Sequence, residues 1–214
     1  VSRYGSNVQH LHLSGPVVGD RLQYLFSANR DHYEGPGGEN MGSEFYDYLA
    51  RVVWRYWEDS TLTLTLHHED GYRELQLAAG PNRAAGWVEE FDPWKSTTIM
   101  LSLNHLWPPD VCTAGNAYYR DMESTFHYHH LGREFDVEES KRGVDVRQTF
   151  RLPDWNTLRV GAQAATWDNP TGKLDYGGWF IRPNGTVFRR SISSHETDYG
   201  LYLQDEVTAI PDRL

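Results

Sequence analysis

The fold this sequence predicts is an all-β antiparallel meander forming part of a large transmembrane β-barrel, and three observations carry it. Hydrophobicity alternates with a period of two in most segments, most strictly in Thr61-Leu62-Thr63-Leu64-Thr65-Leu66. Successive strand side chains point to opposite faces, so each such segment has one oily and one polar surface. The oily surface is bounded by aromatics: Tyr46, Tyr48, Ala50, Val52, Trp54 and Tyr56 share one face, opposite Asp47, Arg51 and Arg55. Lipid on one side and a wet lumen on the other call for that pairing. Finally, short connections alternate with long ones, as in barrels with tight turns at one rim and large loops at the other.

Taken in order, the strands are expected at about Ser6–Ser14, Asp20–Tyr33, Glu44–Trp57, Thr61–Tyr72 and Thr97–Leu106. Val111–Asp121, Phe135–Leu152, Thr157–Trp167 and His195–Ala209 follow. In the second, Leu22, Tyr24, Phe26 and Ala28 fall on one face, with Arg21, Gln23, Ser27 and Asn29 on the other. Leu62, Leu64, Leu66, Ile99, Leu101, Leu103, Leu158, Val160, Ala162, Leu201 and Leu203 are expected on the lipid side. Thr61, Thr63, Thr65, Ser102, Arg159, Gln163 and Gln204 are expected toward the lumen. Turn formers build the short connections Gly15–Gly19, Glu58–Ser60, Trp107–Asp110, Pro153–Asn156 and Pro211–Arg213. The long loops are expected at 34–43, 73–95, 122–133 and 168–194.

Composition agrees with a barrel wall. Aromatics make up 14% of the 214 residues, with 8 Trp and 13 Tyr, while mean hydropathy is −0.66. A barrel needs only half of each strand to be apolar, and the lack of a long apolar run excludes a membrane helix without excluding membrane strands. A net charge of −10 argues against a general nucleic-acid or anionic-membrane binder. The single cysteine, Cys112, forms no intrachain disulfide and no redox or zinc motif.

Several stretches resemble TonB-dependent outer-membrane receptors. Leu13-Ser14-Gly15-Pro16-Val17-Val18-Gly19-Asp20-Arg21-Leu22 resembles an early barrel turn of that family, and Trp57-Glu58-Asp59-Ser60-Thr61-Leu62-Thr63-Leu64 a following hairpin. Gly115-Asn116-Ala117-Tyr118-Tyr119-Arg120-Asp121 and Leu201-Tyr202-Leu203-Gln204-Asp205-Glu206 are similar to later strands. The resemblance implies a barrel of about 22 strands with a plugged lumen, of which residues 1–214 would supply nine or ten within one β-barrel domain. The plug domain, the TonB box, the first strand and the C-terminal strands would lie outside this stretch. It further implies a bacterial outer-membrane location and import of a scarce nutrient, most often a ferric siderophore. The implied partners are the TonB complex, acting through the missing N-terminal region, and the small-molecule ligand, with lipid around the wall. The rival is a soluble all-β carbohydrate-binding or glycosidase module, which would bury its largest residues in mid-strand between two sheets.

Candidate ligand contacts are the aromatics of the predicted long loops: Trp87, Trp94, Tyr176, Trp179 and Phe180, whose flat rings suit aromatic chelates. His127, His129 and His130 form the most metal-like cluster, His127 and His129 sharing a face. No carboxylate or cysteine completes a ligand spacing there, and a wet histidine-rich loop is the simpler reading. Glu89-Glu90-Phe91-Asp92 reads as a solvated charge run rather than a glycosidase pair. Trp107 and Trp155, beside turns, suit a membrane-interface girdle. Arg51, Arg55, Arg120, Arg147 and Arg159 are expected to face the lumen. The chain has no P-loop, GxGxxG, nucleophile elbow or HExxH, so neither enzymatic activity nor a cofactor is expected.

Overall fold

The computed structural model describes residues 5–35, 42–75, 89–107, 110–129, 133–152, 156–175 and 189–207. They form one sheet of nine strands: β1 (Asn7–Val18), β2 (Leu22–Tyr33), β3 (Ser43–Trp57), β4 (Ser60–Leu75), β5 (Glu89–Trp107), β6 (Val111–Tyr128), β7 (Arg133–Arg151), β8 (Asn156–Asp175) and β9 (Arg189–Val207). Spatial order equals chain order and every pairing is antiparallel. A Greek-key sandwich requires two packed sheets and out-of-order neighbours, so the sandwich alternative does not describe the arrangement of these nine strands.

Tight turns close the hairpins at one rim, and those after β1, β3 and β5 each hold a residue in the left-handed region: Gly19 (φ 47°), Asp59 (φ 54°) and Asp110 (φ 63°). Glycine adopts that conformation freely and aspartate tolerates it better than most. Ser60, the first residue of β4, is fully buried, and its hydroxyl accepts the Leu106 N–H at 3.1 Å.

Register carries the alternation across the whole sheet. Val18, Leu22, Trp54, Leu62, Leu103, Gly115, Val146, Ala162 and Leu201 stand opposite one another in a single row, one per strand. The next row runs from Gly15 through Tyr24, Val52, Leu64, Leu101, Ala117, Val144 and Ala164 to Tyr199. No side chain in either row carries a charge. This face is nonetheless open: Leu64 is 48% and Leu101 43% exposed. The polar face is the crowded one, with Thr65 at 7% and Ser27, Ser96 and Ser124 also buried. A sheet curved toward its polar side crowds that side and spreads the other.

The dimensions suit a membrane. Tyr46 and Tyr56 are ten residues apart on the apolar face, about 33 Å along a strand at about 3.3 Å per residue. At a tilt of about 40° this gives roughly 25 Å along the barrel axis, the usual height of a lipid-facing band. The uncharged rows lie toward Tyr56, while those nearest Tyr46 also carry Arg30, Asp70, Lys95 and Asp121. At the tight-turn rim Trp54, Tyr56, His105 and Trp107 form a chain of ring contacts, the closest being His105 against Trp107 at 4.1 Å between centroids. The Tyr56 hydroxyl also bonds His105 Nδ1 at 2.8 Å. This is the girdle expected of Trp107; Trp155 lies outside the described residues.

All the strands but β2 are longer than predicted, the nine running from 12 to 20 residues, mostly at the expense of the loops. β6 runs on through Met122–Tyr128 and β7 begins at Arg133, so the supposed loop at 122–133 is mostly ladder. β5 begins at Glu89 and β8 continues to Asp175. Toward the long-loop end the alternation changes sides, with Met122, Phe126 and Tyr128 on the face that is polar lower down, so paired strand there reads as loop. Arg21 also departs from the reading. It precedes the first residue of β2, escapes the alternation, and joins Leu22 on the apolar side.

Candidate functional site

Chemistry concentrates on the polar face, which divides into three zones. Across β1 to β4, His10, Asn29 and Asp47 stand in one row. Asn29 Nδ2 donates to Asp47 Oδ1 at 2.9 Å, His67 Nε2 bonds Asp47 Oδ2, and His10 Nδ1 bonds Asn29 Oδ1. A carboxylate only accepts, so Asp47 fixes the amide orientation of Asn29 and leaves its oxygen for the His10 N–H. His12 stacks beside His10, ring centroids 6.1 Å apart.

Across β6 to β8 the wall turns cationic. Arg120 stands directly opposite Lys141, and Lys141 opposite Trp167. Like charges facing each other across a ladder repel. Arg120 bonds the Ser96 hydroxyl at 3.3 Å, and the Trp167 indole N–H lacks a hydrogen-bond partner among the described residues. Arg159 pairs with Glu206 at 2.7 Å, and Arg51 bonds the Thr65 hydroxyl at 3.3 Å. Arg51, Arg55, Arg120, Arg147 and Arg159 all occupy the polar face by register.

At the long-loop end an aromatic cluster interrupts this polarity. Phe91 lies edge-on to Trp94 at 5.6 Å and against Phe126 at 4.7 Å, and Phe126 meets Tyr128 at 4.3 Å. Phe126, 9% exposed, is the one buried hydrophobic residue among those described. The β5 bulge between Phe91 and Trp94 brings both rings to one face, opposite Phe126 and Ser124. Asp92 and Pro93 fill the bulge, where proline's missing N–H costs no ladder bond. Trp94, expected in a loop, is therefore a half-buried strand residue. Trp87, Tyr176, Trp179 and Phe180 lie outside the described residues. Sequence reading missed Phe91, Phe126 and Tyr128 as partners of Trp94, because the bulge and the β5–β6 register are needed to bring them together.

His127 and His129 do share a face, and their rings stack at 5.4 Å. It is the face opposite the aromatic cluster. Both imidazoles are engaged: His127 bonds the Asp92 carbonyl at 2.7 Å and lies 3.3 Å from Glu134, and His129 meets Glu90 at 2.5 Å. His130 lies outside the described residues. Among the described residues, His, Cys, Asp and Glu form no group of three that could hold a metal ion.

Comparison with solved structures places this architecture. The chain is similar to the outer membrane transporter YddB from Escherichia coli, with a TM-score of 0.64 and 10% identity over 95% of this chain and 32% of that one. It is also similar to the alcaligin outer membrane receptor FauA from Bordetella pertussis, with a TM-score of 0.51 and 14% identity over 97% of this chain and 40% of that one. The chain thus spans well under half the length of either. No family model matches, and no curated protein does. At such low identity the likeness establishes the fold alone: nine consecutive antiparallel strands arranged as in part of the wall of these two β-barrels.

Proposed function

We propose that this chain is wall from a bacterial outer-membrane importer that takes up a scarce nutrient, most favourably a ferric siderophore, with energy delivered through TonB. The observation that carries the reading is the two-sided wall. One face holds uncharged rows closed by aromatic rings at the tight-turn rim, and the other is wet, with cations at mid-height and an aromatic cluster toward the long-loop end. Ferric chelates are anionic, and many carry flat rings. Arg120 and Lys141 offer charge on the same face on which Phe91, Trp94 and Tyr128 offer stacking area. Trp87, Tyr176, Trp179 and Phe180 belong to the same proposal as contacts in the loops above. The wall itself supplies no catalytic group in this reading; it selects and guides.

The experiment is uptake of labelled ferric siderophores by cells expressing the intact receptor, with and without TonB. Energy-dependent uptake, weakened in affinity by Trp94→Ala and by the Trp87→Ala/Trp179→Ala pair, supports the assignment. Uptake unchanged in both variants removes these aromatics from the binding site. Failure to take up any ferric chelate redirects the search to another nutrient.

A further inference from the structure

The apolar face carries a groove of about 620 Å³ near the tight-turn rim, within the roughly 300–1,000 Å³ of small-molecule sites. Arg21, Leu22, Val52, Trp54, Leu64 and Leu101 line it. Val52 makes the low point, flanked in its row by the longer Tyr24 and Leu64. At the lower edge stands Arg21, whose backbone is pinned from both sides: its N–H donates to Val18 O at 3.0 Å, and its carbonyl accepts the Arg55 N–H at 2.8 Å. Its neighbour Asp20 lines a different recess, together with Arg51. No ion pair engages the Arg21 guanidinium among the described residues. A cation carried on a backbone-pinned turn thus borders the tight-turn end of an apolar trough, beside the Trp54–Tyr56 girdle.

We propose that this groove is a binding site for an anionic phospholipid of the leaflet at the tight-turn rim. One acyl chain lies over Val52 against Trp54, and the headgroup phosphate sits on Arg21. Charge complementarity and position select this occupant. The groove opens on the lipid-facing side, so a water-soluble ligand does not reach it. The inference rests on that side facing lipid, as in the function proposed above.

The test is native mass spectrometry of the intact receptor in a non-ionic detergent. The probes are dioleoyl phosphatidylglycerol, dioleoyl phosphatidylcholine with identical chains, and glycerol phosphate with none. One basic residue near a membrane surface contributes about 1 kcal/mol toward anionic lipid, so phosphatidylglycerol should be retained about fivefold better than phosphatidylcholine. Arg21→Gln should erase that preference, Val52→Phe should reduce retention of both lipids, and glycerol phosphate should not be retained. An undiminished preference in Arg21→Gln, or competition by glycerol phosphate as strong as by the lipid, overturns the site. Quenching of Trp54 by brominated acyl chains, read as wild type minus Trp54→Phe, separates the two levels. Quenching without a phosphatidylglycerol preference refutes the site and leaves the wall reading intact. No quenching refutes the wall reading itself.

Discussion

Tyr118 of β6 lies across Gly143, its direct partner on β7, so closely that a Cβ on the glycine would fall 2.6 Å from the phenol oxygen. Tyr202 covers Gly161 in the same way one hairpin later. In each pair an aromatic ring shields the bare backbone of a glycine on the neighbouring strand, a device that stabilises curved sheets. Gly71 differs, because a Cβ there would meet the Glu44 carbonyl oxygen and, at 2.9 Å, Phe45 Cα.

These contacts predict unequal costs for one methyl group. Gly71→Ala must move backbone and should destabilise the intact receptor by about 1–3 kcal/mol, the usual cost of overpacking. At Gly143→Ala a tyrosine ring only has to swing, and the loss should be clearly smaller. Urea midpoints at constant m-value give the comparison; equal costs would mean the Gly71 backbone yields as readily as the ring.

The facing of β4 predicts a second asymmetry. Leu64→Arg puts a charge in the lipid band and should cost about 2–4 kcal/mol. Thr63→Arg, one residue away on the polar face, should cost much less. Folding equilibria in phospholipid vesicles would show it, and a reversed order would invert the assignment of the two faces.

The network around Asp47 predicts coupling. Asp47→Asn removes the charge that His67 and Asn29 share, and should cost about 1 kcal/mol given the part exposure of these groups. A double-mutant cycle with His67→Gln should show an interaction energy of about 0.5 kcal/mol or more. Strict additivity would mean the bonds contribute nothing to stability.

The aromatic cluster predicts that structural and binding roles separate. Phe126→Ala empties the one buried hydrophobic position among the described residues and should cost about 3 kcal/mol, the low end for phenylalanine truncation. Half-buried Trp94→Ala should cost less stability but more siderophore affinity. Unfolding and uptake measured on the same two variants decide it; parallel losses in both would make Trp94 a packing residue.

Strand number, order and facing were legible because period two survives wherever lipid and water compete for opposite faces. Leu62, Leu64 and Leu66 needed nothing beyond counting. Strand ends were not legible at Met122–Tyr128, where the apolar residues change to the face that is polar lower down. Arg21 was misplaced because alternation holds only inside a ladder, and it lies one residue before one. The Asp47 network and the Phe126 cluster join residues far apart in sequence, so each waited on register and, for Trp94, on a bulge. Trp87, Tyr176, Trp179 and Phe180 remain expectations of composition alone.

Among the described residues every strand pairs in the ladder only with the strands before and after it in the chain. Side-chain contacts that skip a strand, such as Tyr56 of β3 on His105 of β5, are few. A position therefore answers to few judges: the medium on its side of the wall and the residues beside it in the ladder. Most substitutions that keep hydrophobic character on one side and modest size on the other satisfy both. Such a wall can exchange nearly all its letters while keeping its outline, as 10% identity beside a TM-score of 0.64 illustrates. The same looseness lets evolution add or remove hairpins as panels and rework the wet side for new cargo without reopening the question of how the barrel stands.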